Sequence, residues 1–284
     1  MTAIAAIKPA PVTRRQRRGA LRGSTLIAVA LAVVLAFLLL PAILLLLASM
    51  SSSGSMGGAG ALTLSNYVRL FEMGFARYML NSLLVCIGAT VVGTVISLYA
   101  AYAISRLSFP GRRSAIAVIL SGQFFPWIVL VTPLFILFAR AALSNSLVAL
   151  AAAYAAVMVP FSVYLLLGYL ATVPRSLDEA ALMDGASRND IIWRIIVPVT
   201  WPGLVATATY GFLQCWSEYL LALTLLTDES VKTIPLGLYQ FFGDDRIDWG
   251  MVMAGSVAAI VPTLALFLPL QRLLVSGLTA GAVK

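Results

Sequence analysis

The sequence contains no histidine. That absence excludes Ser-His-Asp triads, HExxH zinc sites and His-ligated haem. Charge is nearly as scarce: 19 Lys+Arg and 11 Asp+Glu make up 11% of 284 residues, against about 25% in a soluble domain. So few charges cannot coat a soluble globule of this size, and with 61% apolar residues the chain reads as a membrane protein. Cys86 and Cys215 are far apart in apolar stretches. They read as buried thiols, with no metal-ligand spacing and no disulfide framework. No G-x-x-x-x-G-K-[ST] occurs, so the chain cannot cradle ATP phosphates by a P-loop.

What is present is charge-free length. No Asp, Glu, Lys or Arg occurs within 23–68, 78–105, 114–139, 141–174, 195–217 or 249–271. A charge at the bilayer centre costs about 2.5–3.5 kcal/mol, and about 20 helical residues cross the hydrocarbon, so each interval predicts a span. The expected fold class is an all-α polytopic membrane protein with six transmembrane helices near 26–48, 80–104, 115–138, 147–170, 200–226 and 250–271. Lys and Arg alternate between loops in a 14 to 5 ratio. That asymmetry places both termini in the cytoplasm, with a basic tail at 1–25, a membrane body at 26–275 and a short tail at 276–284. The N-terminal arginines then report topology; no folded nucleic-acid-binding module accompanies them. An Arg-rich start before an apolar run also fits a signal peptide, but about 23 apolar residues is long for one. The Ser/Gly-rich stretch within 49–66 is a flexible outer loop.

The segment from 174 to 198 is long for a connection and patterned as a helical hairpin. Ser176-Leu177-Asp178-Glu179 reads as a capping box opening a short helix through Asp184, and Gly185 supplies a left-handed end. Ser187-Arg188-Asn189-Asp190 repeats the capping pattern and opens a second helix, stopped by Pro198. Two uses fit these residues equally: a hairpin lying on headgroups with Trp193 as anchor, or a docking site for a partner.

The wording of the hairpin favours docking. Glu179-Ala180-Ala181, Asp184-Gly185-Ala186-Ser187, Ile196-Val197-Pro198 and Trp201-Pro202-Gly203 resemble the EAA loop of ABC importer permeases. Tyr102 to Leu107, Phe109-Pro110-Gly111, Asn145-Ser146, Trp216 to Leu220 and Gly277 to Lys284 extend the resemblance to the MalG-like, carbohydrate-uptake branch. That resemblance implies a type I importer fold in the bacterial inner membrane. It also implies a second homologous permease, a dimer of cytoplasmic ATPases that binds ATP and Mg, and an extracytoplasmic solute-binding protein. Within this chain it assigns Glu179, Ala180, Ala181, Asp184 and Gly185 to ATPase coupling, and Ala280, Gly281 and Lys284 to a second ATPase contact or a functionless tail.

For the translocation path, sugars are held by amides and aromatic faces, which selects Asn81, Gln123, Trp127, Tyr210, Gln214 and Trp216 among residues within spans. Glu218, the one ionisable group in a predicted span, reads as an interior hydrogen-bond anchor. Asp228, Glu229, Asp244, Asp245 and Asp248 form an acidic outer face, either solvated or turned to the solute-binding protein. No catalytic or metal-binding group is expected. The rival class is an ion-coupled secondary carrier, which needs ionisable groups at mid-membrane that these intervals nearly lack.

Overall fold

The computed structural model describes residues 14–52, 61–124, 126–243 and 247–280. Helix α1 (Arg14–Ser49) precedes a short α2 (Ser65–Glu72) and the long α3 (Phe75–Arg106). Then follow α4 (Arg112–Gly122), α5 (Trp127–Arg140) and α6 (Leu147–Leu170). The hairpin comprises α7 (Arg175–Met183), α8 (Arg188–Ile191), a π turn (Ile192–Ile196) and α9 (Val197–Val199). Finally come α10 (Trp201–Trp216), α11 (Leu220–Leu225), α12 (Ile234–Tyr239) and α13 (Trp249–Ala280). The described residues contain no strand, only the isolated bridges Ser51–Leu62 and Phe242–Ile247.

Among the described residues, four helices are long and apolar enough to cross a bilayer: Ile27–Ser49 of α1, α3, α6 and Trp249–Gln271 of α13. Two bent pairs bring the number to as many as six. One is α4 with α5, turned through 100° between Gly122, where the first limb ends, and Pro126, which caps the second, so the single span expected at 115–138 is broken. The other joins Arg188–Val199 to α10 at 85°. Its first limb carries Arg188, Asp190 and Arg194, charges that disfavour the hydrocarbon, so the span belongs to α10. The span expected at 200–226 is likewise interrupted, since α10 ends at Trp216 and α11 begins at Leu220. Helix runs beyond the apolar spans at both ends, from Arg14 and to Ala280.

Helix α3 packs along α6, and both meet α10. Their approach is close because a Cβ on Gly93 of α3 or Gly211 of α10 would overlap Met158 of α6. Small residues at such crossings let helices pack by dispersion where lipid removes the hydrophobic drive. Two buried clusters result. One joins Phe75, Leu150, Tyr154, Phe212 and Met251 toward the α12 end. The other joins Leu98, Tyr102, Leu166 and Leu170 to Ala181, Ile191 and Ile196 of the hairpin, fastening that hairpin to the membrane body. Cys86 and Cys215 are buried free thiols, as their apolar surroundings predict.

Candidate functional site

The hairpin is built by local rules, one of them unexpected. Pro174, not Ser176, occupies the N-cap of α7 and offers no side-chain cap, so the expected Ser176–Glu179 box is absent and both residues lie within the helix. At the other end the chain closes as a Schellman turn: Ala186 N–H donates to Ala181 O at 3.0 Å and Gly185 N–H to Leu182 O at 3.1 Å. Gly185 has φ +81°, the left-handed conformation that the turn requires. The second box forms as read: Ser187 Oγ accepts from Asp190 N–H at 3.2 Å while Asp190 Oδ2 accepts from Ser187 N–H at 3.3 Å. The Ser187 hydroxyl also donates to Asp190 Oδ2, and together with the Ser187 N–H it holds the Asp190 carboxyl below the usual carboxylate range.

Pro198 does not stop the second helix. The backbone widens into the π turn, with Val197 N–H reaching Ile192 O, and Pro198 sits in the turn that follows. The missing proline N–H thus falls at a junction, and the bend comes at Thr200, whose hydroxyl donates to Ile196 O at 2.7 Å. Trp193 is tethered: its indole N–H donates to Tyr99 Oη at 2.9 Å, and that hydroxyl donates to Asn189 Oδ1. Of the residues assigned to coupling, Glu179, Ala180, Asp184 and Gly185 are exposed, whereas Ala181 is buried against the membrane body. Beside them Met183 is 88% exposed and Leu182 is exposed too, apolar contacts that the sequence reading passed over.

A cavity of about 410 Å³ opens between α5, α6 and the α10–α11 break. Its volume falls in the usual range for small-molecule sites. Trp127, Tyr210 and Gln214 line it, three of the six residues selected for the path. Tyr210 and Gln214 share one face of α10 by their four-residue spacing, and Gln214 Nε2 donates to Tyr210 Oη at 2.8 Å. The Tyr210 ring lies 4.2 Å from that of Phe161. The cavity also takes in Tyr154 and Phe161, seven residues apart and so on one face of α6, a spacing readable in the sequence but not singled out.

The other three selected residues lie elsewhere. Asn81 is buried, and its Nδ2 donates to Ser230 O at 3.1 Å and Lys232 O at 2.9 Å, holding the turn before α12. Trp216 donates its indole N–H to Ala259 O at 3.2 Å and stacks on Phe212, inside the core. Gln123 is exposed at the end of α4. Glu218, at the cavity wall, is an anchor. Oε1 accepts from Leu221 N–H at 2.9 Å, and Oε2 accepts from Ala222 N–H at 3.2 Å and the Tyr154 hydroxyl at 2.6 Å. It thereby satisfies the orphan donors that start α11.

On the opposite loop face, Asp248 pairs with Arg69 at 3.1 Å and accepts from Met251 N–H, and Glu229 accepts from Lys232, Tyr78 and Gln240. These acids are engaged internally. Asp244, Asp245, Gly281 and Lys284 lie outside the described residues, and Ala280 ends α13.

Known proteins share this architecture. The profile of the family described as binding-protein-dependent transport system inner membrane component matches residues 93–278. The diacetylchitobiose uptake system permease protein DasC of Streptomyces coelicolor is 40% identical over 213 residues, covering 74% of this chain and 76% of that protein. The trehalose/maltose transport system permease protein MalG of Thermococcus litoralis is 39% identical over 78% of this chain and 81% of its own length. The inner membrane ABC transporter permease protein YcjP of Escherichia coli is 36% identical, covering 78% and 80%. In fold, a chain of a bacterial ABC transporter that imports the acidic polysaccharide alginate superposes with a TM-score of 0.77 at 21% identity, over 93% of this chain and 99% of that one. The chain belongs to the binding-protein-dependent transport system inner membrane components, the permease subunits of ABC importers.

Proposed function

We propose that this permease forms half of the path by which an ATP-driven importer admits a sugar or a related polyol or glycoside, and that the 174–198 hairpin couples it to the ATPase. The solute class is supported by the sugar-uptake relatives and by the cavity, where aromatic faces of Trp127, Tyr210 and Phe161 stand beside the amide of Gln214. Sugars present C–H faces to rings and hydroxyls to amides. The observation that carries the coupling reading is the exposed apolar tip, Leu182 and Met183, separated from the left-handed Gly185 only by Asp184. A tip of this kind suits docking into a cleft on a partner, and α7 transmits its displacement through Ala181 to the membrane core.

In this reading both termini and the hairpin are cytoplasmic. The body spans 26–275 and the loop 49–66 lies outside. A second homologous permease completes the path, and the partner ATPase dimer binds ATP and Mg. The outer face meets a solute-binding protein, as one structural relative is described in complex with an alginate pentasaccharide-bound periplasmic protein. Ala280, Gly281 and Lys284 form a second ATPase contact, so deleting 281–284 weakens coupling. An ion-coupled carrier finds little support: Glu218 is the one carboxylate lining the cavity among the described residues, and both its oxygens are already engaged. The test is copurification with an ATPase and uptake in proteoliposomes. Uptake that stops when ATP is withheld is expected; uptake sustained by an ion gradient without ATP overturns the reading.

A further inference from the structure

At the hairpin end of the membrane body a second cavity, about 500 Å³, lies where α3 ends, α4 begins and α6 ends. Three guanidinium groups line it: Arg106, Arg112 and Arg175. Among the described residues no carboxylate lines it. Its remaining walls are largely apolar, with Ile116 on α4, Leu167 on α6 and Ala171 capping the end of α6.

The arginines are positioned rather than loose. Arg112 Nε donates to Ile104 O at 2.6 Å, Arg175 Nη2 to Ser105 O at 2.8 Å and Arg106 Nη2 to Val173 O at 2.8 Å. Each such bond fixes a guanidinium while leaving other N–H donors of its five. Arg106 faces Asp178, but neither Arg112 nor Arg175 has a carboxylate within ion-pairing distance among the described residues. A cavity with surplus positive charge, planar donors and apolar side chains among its walls matches one kind of ligand. The donors suit a phosphate and the wall suits an acyl chain.

We infer that this cavity binds the phosphate of an anionic phospholipid from the leaflet at the hairpin end of α3. Because the same residues grip the end of α3 and the start of the hairpin, a lipid seated there adds to the contact between them. This goes beyond the transport reading and does not depend on the solute.

The test is native mass spectrometry of the full-length permease, with its copurifying subunits, released from nanodiscs of equal phosphatidylglycerol and phosphatidylcholine. The wild-type protein is expected to retain phosphatidylglycerol at least tenfold over phosphatidylcholine. That preference disappears in Arg112→Gln/Arg175→Gln and persists in Arg112→Lys/Arg175→Lys and in Arg140→Gln, which removes a charge at the end of α5 outside the cavity. Equal retention of the two lipids by the wild type, or an unchanged preference in the glutamine pair, overturns the inference. Loss in the lysine pair as well makes the arginines purely structural and also overturns it. Excess inorganic phosphate separates the two phosphate sources: a surviving phosphatidylglycerol adduct supports the lipid, and its displacement overturns the lipid in favour of free phosphate.

Discussion

Arg106 Nε lies 2.6 Å from Asp178 Oδ2, with the two side chains only 7% and 9% exposed. The contact ties the end of a membrane-spanning helix to the first turn of the 174–198 hairpin. It lacks hydrogen-bond geometry, and neither Asp178 oxygen takes a hydrogen bond within the protein. Burial accordingly holds the Asp178 carboxyl above the usual carboxylate range, against the lowering pull of Arg106 and Arg175. A buried pair of this kind contributes little beyond an apolar pair, yet breaking it strands a charge at a cost of about 3–5 kcal/mol. Asp178→Leu alone is therefore expected to destabilise strongly, and Arg106→Met/Asp178→Leu to recover most of the loss. Thermal unfolding of both variants in nanodiscs checks this, and equal losses in the two would show that the pair is not coupled.

Gly185 separates backbone strain from docking. A Cβ there would meet nothing within 4 Å, so the cost of Gly185→Ala is the left-handed backbone alone, about 1–2 kcal/mol. Gly185→Leu carries the same strain and adds a bulky group at the exposed tip. Similar melting temperatures are expected for both variants, with ATP hydrolysis uncoupled from uptake only in Gly185→Leu. Normal coupling in that variant would leave Gly185 a helix cap and nothing more.

The pattern of charges located the membrane helices because charge is what the bilayer punishes. The predicted 147–170 coincides with Leu147–Leu170, where Ser146 caps the helix by accepting from Ala149 N–H at 3.2 Å. Breaks inside charge-free runs were harder to read. Pro126 marks the α4–α5 break and Glu218 the α10–α11 break, but whether a proline bends or ends a helix depends on its neighbours, and Pro160 lies inside α6 without ending it. The same limit governs the path residues. Asn81 and Trp216 are polar or aromatic within spans, like Gln214, and are distinguished only by distant partners, Lys232 O and Ala259 O, that no local spacing reveals. The Ser176 box failed for a local reason, because Pro174 starts the helix earlier.

Glu229 sets a pH dependence on the loop face. Hydrogen bonds from Lys232, Tyr78 and Gln240 pull its carboxyl from the usual 4.5 to about 2. A depressed carboxylate stabilises the fold above its unfolded pKa and loses that contribution as pH falls through the folded value. The window is thus about 4.5 down to about 2. Since the side chain is 66% exposed, the gain is small and screened by salt. Pepsin, active across this window, should cut near Glu229–Tyr239 in the wild type modestly faster as pH falls through it, and in Glu229→Gln without that dependence on pH. Identical pH profiles would remove Glu229 as the holding group.

Transport kinetics and stability should divide the six path residues into two sets. Gln214→Ala removes a cavity hydrogen bond worth about 0.5–1.5 kcal/mol and is expected to raise the KM for uptake about two- to tenfold, with little change in Tm. Trp127→Ala removes a cavity wall and acts in the same direction. Asn81→Ala instead strands Ser230 O and Lys232 O behind α12, a loss of about 1–3 kcal/mol that lowers Tm and leaves KM unchanged. Trp216→Phe keeps an aromatic ring in the core but drops the bond to Ala259 O, again a Tm effect. Initial-rate uptake and thermal melting on the same preparations decide the matter. Raised KM with unchanged Tm in Asn81→Ala would return that residue to the path, and a purely thermal defect in Gln214→Ala would take the cavity out of it.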